Sequence, residues 1–249
     1  MPQFLQFTTN DLILAAVWIF LGAQLSTLAT TVYLHRALTH KAVKLHPAVV
    51  WANRLVVWLT TGIAPRDWAG IHRKHHRFSD LPGDPHSPYV HGFWNIQLRN
   101  VQYYRAEARD TETIAKYTKD IVDDRWERIF SRTTAGLVLY AALMMWVLTP
   151  LVGFVAAVLQ FTLYIWLNAS INGAAHWIGY QNFANSARNL WLLSLFTAGE
   201  ALHNNHHEYP GSPRFSQKKW EIDFGWWFIA ALTKVGLAEP VQSAAFARN

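Results

Sequence analysis

The sequence predicts an all-α fold: an integral membrane helical bundle with a cytoplasmic helical cap that carries a histidine-rich site for two metal ions. Three observations predict it. Two long stretches, residues 12–34 and 133–170, contain no charged residue. Apolar residues make up 51% of the chain and charged residues only 15%, against roughly 25% charged in soluble domains. The mean hydropathy is nevertheless only +0.04, so the apolar residues must be segregated into spans beside a substantial polar part. Finally, nine of the twelve histidines fall into four clusters, each beside an apolar segment.

The elements follow in chain order. Residues 12–34 supply 23 uncharged positions, and about 20 suffice to cross a bilayer, so one helix spans there. No basic segment precedes it, which reads as a retained anchor and not a cleaved signal. Residues 45–64 are apolar apart from Arg54. They begin just after one histidine cluster and end just before the next, and twenty residues cannot cross twice. An in-plane or re-entrant helix is expected, with Pro47 in its first turn and Arg54 snorkelling or paired. Residues 133–170 are broken by Pro150 and Gly153, giving a hairpin of two spans at about 133–150 and 151–170. Residues 224–237 are aromatic-rich but too short to span, and are expected to lie along the surface or pack on the cap.

Charge sets the sidedness. Arg36, Lys41 and Lys44 follow the first span and twelve Lys or Arg lie from Arg66 to Arg132, whereas the residues before Asp11 and the Pro150 turn carry none. The positive-inside rule places 66–132 and 171–249 in the cytoplasm and the N-terminus outside, with three spans in all. The whole chain, 1–249, reads as a single domain. A net charge of +6 and a pI near 9.6 do not indicate nucleic acid, because the basic residues flank spans and are interleaved with acids. The 13 tryptophans suit the headgroup region. Cysteine is absent, which excludes disulfides, Cys-ligated iron–sulfur clusters and a thiolate nucleophile.

The clusters are His35-Arg-Ala-Leu-Thr-His40, His72-Arg-Lys-His75-His76, Asn172-Gly-Ala-Ala-His176 and His203-Asn-Asn-His206-His207. Two of them share the spacing i, i+3, i+4, which on a helix gathers three imidazoles on one face about 5 to 6 Å apart. Neutral imidazoles so placed offer lone pairs that a cation satisfies. Asn172 and His176, at i and i+4, also share a face. His35 and His40, at i and i+5, do not on an ideal helix, so the helix is expected to end or loosen there. His46, His86 and His91 stand outside the clusters and read as solvated or core-bonded. Nine imidazoles are too many for one ion and suit two. Imidazole accepts zinc, copper, iron or nickel. No HExxH motif and no Ser/His/Asp arrangement is present. Beside lipid, where C–H bonds are plentiful and hydrolysis has few targets, a redox metal that activates oxygen fits best.

The order HRxxxH, HxxHH, NxxxH, HxxHH, with the contexts Leu34-His35-Arg36, Asp84-Pro85-His86 and Gly199-Glu200-Ala201-Leu202-His203-Asn204-Asn205-His206-His207, resembles the membrane fatty acid desaturases and is most similar to their bacterial Δ9 branch. The resemblance runs from about residue 20 to about residue 240. It implies that the nine clustered histidines bind two iron ions, with Asn172 reaching one through a water. It implies that Trp68 lines the bend of an acyl tunnel, and that Asp84 and Glu200 hold imidazole N–H groups, as carboxylates near metal sites commonly do. The location implied is a bacterial inner membrane with the site on the cytoplasmic side. Animal acyl-CoA members have one more span before the first box. They also carry Arg-Asp just before the second box, where they help hold the CoA headgroup; this chain has Gly70-Ile71. The acyl carrier therefore reads as phospholipid or CoA.

The implied reaction uses O2 and two external electrons to remove two hydrogens from adjacent methylenes, giving a cis alkene and water. The electrons would come from a separate donor of ferredoxin or cytochrome type with its reductase. Two rival readings are a lipid or alkane hydroxylase on the same scaffold and, from another class, a membrane metal transporter or sensor.

Overall fold

Helix α1 (Thr9–Ala29) starts at a reciprocal cap: Asp11 N donates to Thr8 Oγ1 and Thr8 N donates to Asp11 Oδ2, satisfying two N–H groups that would otherwise be orphaned. It runs without a break into a π-helical segment, Thr30–Thr39, so that Thr9–Thr39 is one rod of 31 residues. The computed structural model describes residues 7–122 and 124–241.

Helix α2 (Pro47–Thr60) has proline in its first turn and His46 as its cap. It runs back along α1: Arg54 Nε donates to Tyr33 OH at 2.8 Å, and one end lies level with Ser26, whose Oγ donates to Thr60 Oγ1 at 2.8 Å. The chain then reverses and α3 (Pro65–Phe78) returns to the level of His35. Residues 47–78 thus form a helical hairpin, with α2 as its descending arm. Arg54 is paired, lying 3.6 Å from Asp124 and 3.7 Å from Glu127.

The cap continues through α4 (Pro88–His91), α5 (Phe93–Ala108, kinked at Arg99), α6 (Thr111–Tyr117) and α7 (Arg125–Phe130). The second apolar stretch forms α8 (Thr133–Val147) and α9 (Pro150–Asn172), separated at Leu148 and Thr149. Helix α8 has 15 residues, about 22 Å at 1.5 Å per residue, short of the roughly 30 Å hydrocarbon thickness. The α2 arm packs beside it: Trp58 Nε1 donates to Arg132 O at 3.1 Å, and Gly136 lies against the Trp58 carbonyl so closely that a Cβ there would clash. Among the described residues, two helices, Thr9–Thr39 and Pro150–Trp177, are long and apolar enough to cross a membrane.

Helices α1 and α9 run parallel, joined by Gln160 Nε2 to Ser26 Oγ at 3.0 Å and by Thr30 Oγ1 with Tyr164 OH at 2.8 Å. The bundle is inside-out relative to a soluble protein. Small or polar residues such as Gly22, Ser26, Ala156 and Gln160 face inward, while Leu14, Leu21, Trp146, Phe154 and Trp166 are exposed.

The remaining helices are α10 (Ala174–Trp177), α11 (Trp191–Ser194), α12 (His203–Glu208) and α13 (Phe224–Lys234). Helix α13 buries Ile229 against Val32 and Val43 while Phe224, Trp227 and Phe228 stay exposed. Strands β1 (Val43–Leu45) and β2 (Ala238–Pro240) pair antiparallel, with Lys44 opposite Glu239. The chain is mostly helical, as the sequence predicts; this short pairing carries no signal in hydropathy.

Candidate metal centre

The four clusters converge where the π-helical segment, α3, α10 and α12 meet. On an α-helix, residues five apart are rotated by about 140°. The i→i+5 bonding of a π-helix widens the turn and brings them together, and the His35 and His40 ring centroids lie 4.9 Å apart. The loosening expected from their spacing therefore takes the form of a π-helix.

The nine imidazoles form two groups. His35, His40, His72, His76 and His206 make one; His75, His176, His203 and His207 make the other. Neither HxxHH box serves a single group. In each, the i, i+4 pair or its equivalent stays together while the third ring crosses over: His72 and His76 join the first group and His75 the second, whereas His203 and His207 join the second and His206 the first.

Within the first group, His206 Nε2 lies 3.0 Å from that of His35 and 2.9 Å from that of His76, and His72 Nε2 lies 3.0 Å from that of His76 and 3.1 Å from that of His40. In the second, His207 Nε2 lies 3.2 Å from that of His75 and 3.1 Å from that of His203. His176 Nε2 is buried with no hydrogen-bond partner. A ring nitrogen carries either one proton or one lone pair. A run of such contacts cannot all be separate hydrogen bonds, and inward lone pairs are what a cation satisfies. Donors about 2.1 Å from a shared ion stand about 3.0 Å apart at adjacent octahedral positions, which matches these separations. The donor set fits metal.

The outer nitrogens are held by carboxylates. His75 Nδ1 donates to Asp84 Oδ2 at 2.9 Å and His176 Nδ1 to Asp80 Oδ2 at 2.7 Å, and His35 Nδ1 lies 2.6 Å from Glu200 Oε2. Each contact places the ring proton on Nδ1 and turns the Nε2 lone pair inward. Thr31 Oγ1 also donates to Glu200. Burial pushes Asp84 and Glu200 up, but the adjacent His75 and His35 outweigh it, so both are held below the usual carboxylate range. Burial first and neighbouring rings second hold His40, His72, His76, His203, His206 and His207 well below the ordinary imidazole value, which keeps them neutral and able to donate lone pairs.

A cavity reaches from the histidines into the bundle. Its lining includes His72, His203, Glu200 and Asn172, polar residues such as Thr61, Asn100 and Arg105, and apolar wall from Trp68, Ile71, Leu137, Phe161 and Ile165. Trp68 lies parallel to the His72 ring, 7° off, with centroids 4.8 Å apart.

The fatty acid desaturase family model matches residues 12–221. The chain belongs to this family. It is 33% identical over 248 residues to an sn-2 palmitoyl-lipid 9-desaturase of Nostoc sp., an overlap covering 98% of this chain and 85% of that protein. It is 32% identical to an sn-1 stearoyl-lipid 9-desaturase of Synechocystis sp., covering 85% and 66%. It is also 32% identical to Delta-9 desaturase-like 5 protein of Arabidopsis thaliana, covering 88% and 73%.

In this desaturase chain the structure brings together all nine clustered histidines, with Asp84 and Glu200 on their outer nitrogens and Trp68 against His72. Asn172 lies at the cavity wall, and its amide donates to Asn100 Oδ1 at 3.1 Å. Of the histidines set aside, His46 caps α2 and His91 Nε2 donates to the Asp84 carbonyl. His86 is buried against His75, centroids 4.5 Å apart, and close enough to His75 and Asp84 to form a third potential ligand group. Sequence reasoning missed Asp80. Its partner His176 is 96 residues away, and nothing in the local sequence links them.

Proposed function

We propose that this desaturase-family chain is an integral membrane enzyme that introduces a cis double bond, at the Δ9 position, into a saturated fatty acyl chain. The observation that carries this reading is the pair of inward-facing imidazole groups at the end of a largely apolar cavity. The nine histidines would hold two metal ions, with Asn172 beside them at the cavity wall. Iron there would supply, with O2 and two electrons from a separate ferredoxin- or cytochrome-type donor and its reductase, the oxidising power to remove two hydrogens from adjacent methylenes.

The residues do the rest. Trp68 and the apolar wall fix which methylenes stand beside the histidines, as near-attack positioning requires. Asp80, Asp84 and Glu200 keep protons on Nδ1, and burial excludes water. The names of the relatives favour an acyl group carried by a membrane lipid, and Gly70-Ile71 in place of the Arg-Asp of acyl-CoA members supports the same choice over CoA.

The inside-out bundle supports a membrane location, which we take to be a bacterial inner membrane. The α2–α3 hairpin would enter from the cytoplasmic side and return, and α8 would complete its crossing beneath it. Helices α1, α8 and α9 then make three passes, with 66–132 and 171–249 cytoplasmic and the N-terminus outside.

Lipid analysis of an expressing strain beside a His206→Ala control tests the function. Monounsaturated chains are expected only with the wild-type protein. Hydroxy acids in their place would turn the reading to a hydroxylase, and unchanged lipids with zinc in the pure protein would end it. A reporter fused at the N-terminus and found in the cytoplasm would overturn the topology.

A further inference from the structure

One buried ion pair lies beside the histidines but is not among them. Arg36, next to His35, is wholly buried, and its Nη2 donates to Asp223 Oδ1 at 2.8 Å; neither side chain is exposed. Arg36 Nη1 donates to Pro213 O at 2.7 Å, and the guanidinium lies over the Phe215 ring, 3.8 Å from its centroid. The other oxygen of Asp223 accepts from Phe215 N at 2.7 Å, while Oδ1 also accepts from Trp226 N at the start of α13. Gly199, at φ 95°, lies so close that a Cβ would meet Asp223 Oδ1. Arg36 and Asp223 thus clasp the segment that carries Phe215 from both its carbonyl and its amide sides.

Phe215 is itself 1% exposed. Its ring centroid lies 5.5 Å from that of His35 and 4.7 Å from that of His206, both members of the five-histidine group. A guanidinium fork with two acceptors and a stacked ring is a geometry that lysine cannot reproduce.

We propose that the Arg36–Asp223 pair is a latch that holds Phe215 as the dry wall of the five-histidine group, so that chain beyond the fourth histidine cluster completes the metal centre. This rests on the two-metal desaturase reading above. Phe215 is a positioning residue: its apolar ring denies water access to His35 and His206 and so guards against side reactions. Without it, O2 would take two electrons from the donor and two protons from solvent and leave as hydrogen peroxide, instead of taking two hydrogens from the acyl chain.

The test loads the full-length protein with cobalt(II) alone and measures the longitudinal relaxation rate of solvent water. Phe215→Ala should raise that rate severalfold with both cobalt ions still bound, Phe215→Leu should restore the wild-type value, and Asp223→Asn should behave like Phe215→Ala. In the iron-loaded enzyme with a reduced ferredoxin, Phe215→Ala should raise the peroxide released per double bond formed. If Asp223→Asn does not fold, the alanine and leucine pair still decides. Wild-type relaxation and peroxide yield in Phe215→Ala would overturn the latch alone; a wild-type protein that binds no cobalt would overturn the metal reading and the latch with it.

Discussion

His75 Nδ1 lies 2.9 Å from Asp84 Oδ2, with side chains 1% and 0% exposed. Asp84 also accepts from the backbone N–H of Asp80 and of His86, so one carboxylate both sets the tautomer of a ligand and organises the loop behind it. Replacing Asp84 by Asn removes the charge while keeping the shape. The affinity of the four-histidine group for cobalt(II) or iron(II), measured by competition with a chelator, should fall by about 10- to 100-fold. Glu200→Gln should do the same to the five-histidine group, and unchanged affinity in both would refute the role given to these carboxylates.

The imidazoles make the metal-free protein acid-sensitive. His40, His72, His76, His203, His206 and His207 are held well below the ordinary value, burial being the largest cause, and burial followed by His75 pushes His86 down to about 3. In the unfolded chain each takes up a proton near pH 6.5. Below that pH the unfolded state binds more protons than the folded one, so stability falls as pH falls, by about 1.4 kcal/mol per pH unit for each proton of difference. The melting temperature of the apo protein in detergent should drop steadily from pH 7.5 to 5, and bound metal should raise it without removing that slope, because the ligated rings also stay unprotonated. A pH-independent melting temperature would contradict the burial of these rings as neutral ligands.

Gly136 lets α8 approach the backbone of α2 at Trp58. Gly136→Ala would put a methyl group into the Trp58 carbonyl and force the two helices apart, with an overpacking cost of about 1–3 kcal/mol. Thermal unfolding in detergent should show the loss. A variant as stable as the wild type would mean that the hairpin does not rest on α8 in this way.

Tyr164 lines the cavity and bonds to Thr30 across the α1–α9 contact. Removing its ring in Tyr164→Ala lengthens the apolar space. The ratio of longer to shorter monounsaturated chains in an expressing host should rise by about tenfold, the scale of discrimination that a methylene or so provides in an apolar pocket. Gas chromatography of host lipids would measure it, and an unchanged ratio would remove Tyr164 from the selection of chain length.

The histidine clusters were legible in the sequence because a residue type repeated at a helical spacing is a local pattern. How the ligands divide was not. His75 and His206 each leave their box-mates for the opposite group because α3 and α12 meet at the site, and that meeting depends on contacts 130 and 132 residues apart. The spacing of His35 and His40 showed that a regular helix must fail there but not that a π-helix replaces it. Asp84 and Glu200 could be named from the family contexts that contain them, whereas nothing local paired Asp80 with His176, 96 residues away.

The clasp between Arg36 and Asp223 joins positions 187 residues apart. During synthesis the first histidine cluster emerges early and waits, its buried cation without a counter-ion, until Asp223 has left the ribosome. If the five-histidine group binds an ion as proposed, it would not close around that ion before then. Metal loading would then be a late, post-translational event, and a chain stalled before Asp223 would carry its histidine clusters without a finished centre.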